Sequence, residues 1–268
     1  MARAWSRVAF ASFCSAALAG CLSQPEARSG ALDYLTRKGS AEVDDAEVKL
    51  KLPVRVAIAV PPAGSAMGPM RAGLPPTTHR ISPETVTDRK RRELLDRFTN
   101  EFKDRPGVAS VQVLPSTYLT PGGGFAELQR AGTSFGFEIV ALLSFDQFQF
   151  NEAGGASFEL GTVGGERRVD GEANETRTVI DASLFDLASS QLLLHATGES
   201  SVKATAAHYQ VQDGLRTACE SGFESAMKDL FKNLDVAAAE FSKQLQTGTV
   251  EGLGTPEYES TEAGSGGP

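Results

Sequence analysis

Phe137-Glu138-Ile139-Val140-Ala141-Leu142-Leu143-Ser144-Phe145-Asp146-Gln147-Phe148-Gln149-Phe150 is the stretch that decides the fold. After Glu138 its first half is continuously apolar, as expected of a strand covered on both faces, and from Phe145 onward apolar and polar residues alternate. Such a strand belongs in the middle of a sheet with helices on both sides. The switch to alternation predicts that its far end turns one face to solvent. Just before it, Phe125 to Phe135 carries Leu128 and Ala131 on one helical stripe, and Gly136 is placed as a C-terminal cap. Just after it, 151–174 is Gly-rich and charged and reads as an interruption. Thr178 to Leu187 and Gln191 to Ser201 then read as an antiparallel hairpin turning at Ala188-Ser189-Ser190.

Working further outward, Pro53-Val54-Arg55-Val56-Ala57-Ile58-Ala59-Val60 is a β-branched run with Pro at its start, which predicts a central strand. The breaker-rich 61–85 reads as a long irregular loop. From Val86 to Lys103, Leu94, Leu95, Phe98 and Phe102 recur at helical spacing, with Thr85 and Asp88 as a candidate capping box. Val108, Val111 and Val113 predict another strand, closed by Pro115. Val211 to Gln246 is helical, with Leu215, Ala218, Cys219, Phe223, Ala226, Met227, Leu230, Phe231 and Leu234 on one broad stripe and room for a bend near 233–235. The order β-α-β-α-β-β-β-α predicts one α/β domain over 48–246, a mixed β-sheet with packed helices in two or three layers. There is no convincing internal repeat.

The first 20 residues have the grammar of a secretory signal: Arg3 and Arg7, then an apolar run of about 11 residues from Val8 to Leu18. That run is too short to span a bilayer, which takes about 20 residues. Leu18-Ala19-Gly20-Cys21 looks like the lipobox of bacterial lipoproteins. The resemblance implies cleavage before Cys21 and acyl chains on its sulfur and amine, enough to hold a protein stably on a membrane. Leu22, in place of an Asp, points to the outer membrane. Residues 21–47 then read as an acylated N-terminus and tether, in which Leu32-Asp33-Tyr34-Leu35 is apolar enough to dock. The tail 247–268 is expected to be disordered.

Cysteine usage fits this address, because Cys14 leaves with the signal, Cys21 is acylated and Cys219 remains alone, so a mature monomer has no disulfide. With 34 acidic and 26 basic residues the chain carries −8. Such a surface repels phosphates, which argues against nucleic acid as a partner.

No catalytic constellation, metal site or cofactor site is legible. His79, His195 and His208 form no ligand pair, and no G-x-S-x-G elbow places a nucleophile. His195 reads as a surface or cross-strand residue on its strand. Asp146, Asp181 and His195 are the residues a hydrolase acting on envelope polymer would draw on, and Asp186 marks a strand end before a turn. Arg89-Lys90-Arg91-Arg92 reads as a solvated helix face with Glu93 and Asp96 as local partners. The most individual segment is Tyr118-Leu119-Thr120-Pro121-Gly122-Gly123-Gly124-Phe125. It lacks the spacing of a P-loop or dinucleotide fingerprint. It reads either as a turn needing positive φ at one or more glycines, or as a partner-binding loop formed by Tyr118, Leu119, Pro121, Gly122, Gly123, Gly124 and Phe125.

The chain resembles the rhombotarget lipoprotein family, bacterial lipoproteins associated with a rhombosortase sorting system. The likeness rests on the lipobox, Leu32 to Leu35, Pro53 to Ala57, Leu119 to Phe125, Ala141 to Gln147 and Asp181 to Asp186. Pro-Gly-Gly-Gly-Phe and Ser-Phe-Asp-Gln are its specific parts; Gly154 to Glu175 departs from it, being more polar. The family brings no established activity. The element order is similar, at the level of fold alone, to the periplasmic domain of curli-secretion lipoproteins. The expectation is a non-enzymatic protein, anchored to the membrane through Cys21, that binds a protein partner in envelope sorting or surface assembly. A homo-oligomeric secretion or pore component, with 151–174 between subunits, is the alternative.

Overall fold

The computed structural model describes residues 27–36, 50–62, 74, 78–81, 88–150, 156–203 and 211–247. Its centre is the deciding stretch, which forms strand β5 over Ile139–Phe150. On one side β5 pairs in parallel with β2 (Val54–Ala59) and, at its far end, antiparallel with β3 (Thr78–Ile81). On the other side it pairs along its whole length with β8 (Glu175–Asp186), and β8 with β9 (Leu192–Lys203). Strand β4 (Val108–Val113) lies parallel to β2, so the main path runs β4-β2-β5-β8-β9.

Four helices complete the layers: α1 (Gly30–Thr36), α2 (Asp88–Phe102), α3 (Gly124–Phe135) and the unbroken α4 (Val211–Thr247). The chain moves from β2 outward to β4 through α2, and back across β2 to β5 through α3. Right-handed crossovers in opposite directions place their helices on opposite faces. The packing agrees. Val56, Ile58, Ala141, Leu143 and Ile180 bury against Leu94, Phe98, Phe223, Met227 and Leu230 of α2 and α4. Ala57, Ala59, Val140, Leu142 and Phe185 bury against Leu32, Tyr34, Phe125 and Leu128 of α1 and α3. The result is three layers.

Each of the eight segments expected from the sequence forms its element, but the chain adds others between them. A second sheet, β1-β6-β7, consists of Ala27–Arg28, Ala156–Thr162 and Gly165–Gly171. The reading of 151–174 as an interruption is therefore corrected for 156–171. Phe158, Leu160 and Val169 give this charged hairpin one buried face, which packs on Phe148, Phe150 and Val179. The irregular reading of 61–85 is corrected at β3, a strand templated by the far end of β5. The tether reading is corrected at 27–31, where β1 adds to β6 and α1 begins, while Leu32 to Leu35 dock as their apolar character suggested, with Leu32 and Tyr34 buried in the core. The far end of β5 does not face solvent. Phe145 and Gln147 turn to α4, where the Phe145 ring meets Phe223 edge-on and Gln147 Nε2 donates to Cys219 O at 2.8 Å. Phe148, on the other face, meets Phe158 of the second sheet.

Local details follow the sequence. Gly136 caps α3 in the left-handed region at φ 74°, its N–H bonding Gly132 O. Asp186 ends β8 and accepts from Ser189 N at 2.9 Å and Ser189 Oγ at 2.6 Å, closing the turn into β9. Among the described residues no helix is long and apolar enough to cross a membrane. Cys21, Thr85, His208 and the 248–268 tail lie outside them.

Candidate functional site

The glycine-rich segment is where the sequence placed a partner-binding loop. A 3-10 turn, Ser116–Tyr118, leaves β4, and Gly122 and Gly124 take φ of 69° and 62°, which makes this a turn that requires glycine. A Cβ on Gly123 would overlap the Glu127 carboxylate. That carboxylate is the hub of the loop, accepting from Thr120 N at 2.8 Å, Thr120 Oγ1 at 3.0 Å and Tyr34 OH at 2.9 Å. Burial first, and then the hydrogen bond to Glu127, pushes the Tyr34 phenol far above its ordinary range.

This geometry ties the loop to α1 and α3 through one carboxylate. In an open α/β sheet the crevice beyond the carboxyl ends of the strands is where ligands commonly bind. Here α1 packs into it, and Glu127 takes the Thr120 N–H and hydroxyl. Leu119 and Phe125 are buried in the core, Phe125 against Phe185 at 5.1 Å, which corrects their reading as anchors for a partner. Of the seven loop residues, Tyr118 and Pro121 are the ones that face solvent.

Tyr118 leads to a different surface. It is 54 % exposed and packs edge-on at 4.9 Å against Phe135, itself 43 % exposed, at the end of α3. Gln112 Nε2 of β4 donates to Phe135 O, so this aromatic pair stands beside β4. Val113, at the end of β4, is 40 % exposed.

The two ends of the large sheet are finished differently. At the β9 end, α4 lies along the strand: Asp229 Oδ2 accepts from Glu199 N at 3.1 Å, and Asn233 Nδ2 donates to Thr197 O at 2.7 Å. These side chains satisfy edge groups that a further strand would otherwise use. At the β4 end the strand Val-Ala-Ser-Val-Gln-Val pairs with β2 alone among the described residues. It carries neither the charge nor the proline with which edge strands usually discourage pairing.

A second candidate lies between the two apolar clusters on the α1 side of the sheet. Ser144 and Asp146 of β5, Asp181 and Ser183 of β8, and His195 and Thr197 of β9 form a polar belt there. All but His195 are buried. Thr197 Oγ1 donates to Asp181 Oδ1 at 2.6 Å, while His195 Nε2 stands 3.6 Å from the same oxygen, beyond hydrogen-bond range. The hydroxyls of Ser144 and Ser183 have no hydrogen-bond partner among the described residues. The structure thus brings Asp181 and His195 together, which sequence spacing could not show, and of the two readings of His195 it gives the cross-strand one, opposite Ser183 of β8. The belt is closed over by Gly30 of α1, which packs toward Ser144, and by the turn at Gly164, where a Cβ would overlap the His195 imidazole.

A shallow depression of about 450 Å³ lies between the start of β2 and the end of α3. Its most polar feature, Arg55, is taken by Glu138: Arg55 Nε donates at 3.0 Å and Arg55 N at 2.8 Å, and the guanidinium holds the Glu138 carboxyl below its ordinary range. Among the described residues no group of three or more His, Cys, Asp or Glu side chains could hold a metal ion. Set against known proteins, the chain matches no family model, no curated protein and no solved structure.

Proposed function

We propose that the chain is a lipid-anchored protein of the bacterial envelope whose α/β domain binds protein rather than performing catalysis, acting in sorting or surface assembly. The observation that carries the binding role is the uncharged outer edge of β4, unpaired among the described residues and flanked by exposed Val113, Tyr118 and Phe135. Main-chain hydrogen bonds at such an edge supply affinity, and neighbouring apolar side chains supply selectivity. The non-enzymatic reading is supported by the cover that Gly30 and the Gly164 turn place over the polar belt and by the glycine loop, where Glu127 takes both Thr120 donors. The address is supported by the lipobox-like Leu18 to Cys21 and by the family resemblance; the likeness to curli-secretion lipoproteins belongs to the same proposal.

Two measurements test it. Mass spectrometry of the membrane-bound chain should find a mature N-terminus at Cys21 with acyl mass added, and Cys21→Ser should release the chain from membranes. An unmodified Cys21 overturns the address. Affinity purification of the intact chain from solubilised envelopes should return a protein that is lost with Tyr118→Ala/Phe135→Ala. The same proteins recovered with both chains overturn the binding surface.

A further inference from the structure

The contrast between the sheet's two ends can be carried to a partner. Leu114 N donates to Ile58 O of β2 at 2.9 Å, so the alternation of the strand turns the N–H and C=O of Val111 and Val113 away from β2, toward the open edge. We infer that β4 pairs antiparallel with β4 of a second copy of this chain, across a two-fold axis perpendicular to the sheet with Val111 facing its own copy. This rests on the protein-binding reading above and names that partner as the chain itself.

Charge favours a second copy at this edge. A two-fold contact sets each residue against the same strip of its copy, so a charged residue at its centre would meet like charge. The chain as a whole is acidic, at −8, and copies repel over most approaches. Val108–Val113 contains no charged residue. Hydrogen-bond phase agrees as well. With the axis at Val111, the outward groups of Val111 meet those of its copy, and Val113 stands opposite Ala109, the residue at which β4 shifts register against β2. Apolar cover flanks the junction on both faces. Val111 packs into the α2 side, which by alternation Val113 shares, and Tyr118 and Phe135 lie toward the end of α3. At the β9 end, by contrast, Asp229 and Asn233 occupy the Glu199 N–H and the Thr197 C=O.

The test uses the intact chain in its membrane. Opposed Val111 residues would have Cα atoms about 5.5 Å apart, so Val111→Cys should join two copies through a short bifunctional thiol reagent. Ala239→Cys, exposed on α4 and far along the chain from the edge, should not. Adding Val113→Pro, which removes an outward N–H without touching the β2 ladder, should weaken self-association roughly tenfold. In detergent, sedimentation of the wild-type chain should show a monomer–dimer equilibrium that Val113→Lys shifts to monomer. A strict monomer with no Val111→Cys cross-link overturns the inference, as does equal cross-linking through Ala239→Cys. Should that monomer still bring down an envelope protein that Val113→Lys loses, self-pairing fails while the protein-binding reading stands.

Discussion

Replacing Glu127 by Ala is expected to cost about 3 kcal/mol, because one carboxylate holds α1, the glycine loop and the first turns of α3 together. The Tyr34 bond contributes most. Its phenol is buried, so the orphaned hydroxyl cannot turn to water, and a hydrogen bond to a charged acceptor is worth about 2 kcal/mol. The two Thr120 bonds are exposed; water replaces much of them, and together they add about 1 kcal/mol. For a domain of this size 3 kcal/mol lowers Tm by roughly 6–12 °C. Urea unfolding should show the same loss as a lower midpoint at unchanged slope. The pairing itself is isolated by a double-mutant cycle: Tyr34→Phe alone should cost about 2 kcal/mol, and almost nothing in the Glu127→Ala background. Additive losses, or a Glu127→Ala chain within about 0.5 kcal/mol of wild type, would refute the hub.

Three further outcomes are expected. Gly198→Ala should destabilise by more than about 3 kcal/mol, since its Cβ would stand 2.5 Å from Leu230 N and press on Ala226 O, both backbone atoms of α4 that cannot swing aside; a loss under about 1 kcal/mol in urea would show that α4 does not bear on β9. The raised Tyr34 pKa stabilises fully below the ordinary tyrosine value, near 10, and that contribution drains away as pH rises past it, because the unfolded chain ionises first. Unfolding free energy measured at pH 9 and 11 should therefore fall by up to about 1.4 kcal/mol more in wild type than in Tyr34→Phe, and equal falls would contradict the burial. Ser144→Ala and Ser183→Ala should each be neutral or stabilising by up to about 1 kcal/mol, since they remove buried hydroxyls that lack partners among the described residues; a loss above that in thermal melts would reveal a partner for the hydroxyl.

The legible parts of this fold are those in which local pattern and tertiary environment agree. The apolar run at 139–143, the Gly136 cap and the Asp186 turn each carry their own signal, and each forms what that signal says. The β6-β7 hairpin was hidden because its buried face is carried by Phe158, Leu160 and Val169 among many charges. Strand β3 exists because β5 is long enough to template it, which no local pattern in Thr-His-Arg-Ile announces. The site divides the same way. Positive φ was readable from three consecutive glycines, but the burial of Leu119 and Phe125 depends on α1 returning to that loop from far upstream, Tyr34 and its partner Glu127 standing 93 residues apart in the chain. The open edge was not readable at all. Its meaning comes from Asp229 and Asn233 sealing the opposite end, a relation between strands and a helix that sequence spacing does not encode.

The pairing of β1 with β6 also has a mechanical side. Ala27 is already fixed in the second sheet, and the six residues from Cys21 to Ala27 reach about 22 Å at full stretch. A chain held at Cys21 would therefore carry its domain on a short leash close against the bilayer. Tension on the anchor would load β1 first, and through Ser29, whose N–H bonds Gly161 O, would then reach α1, the plug of the sheet's crevice.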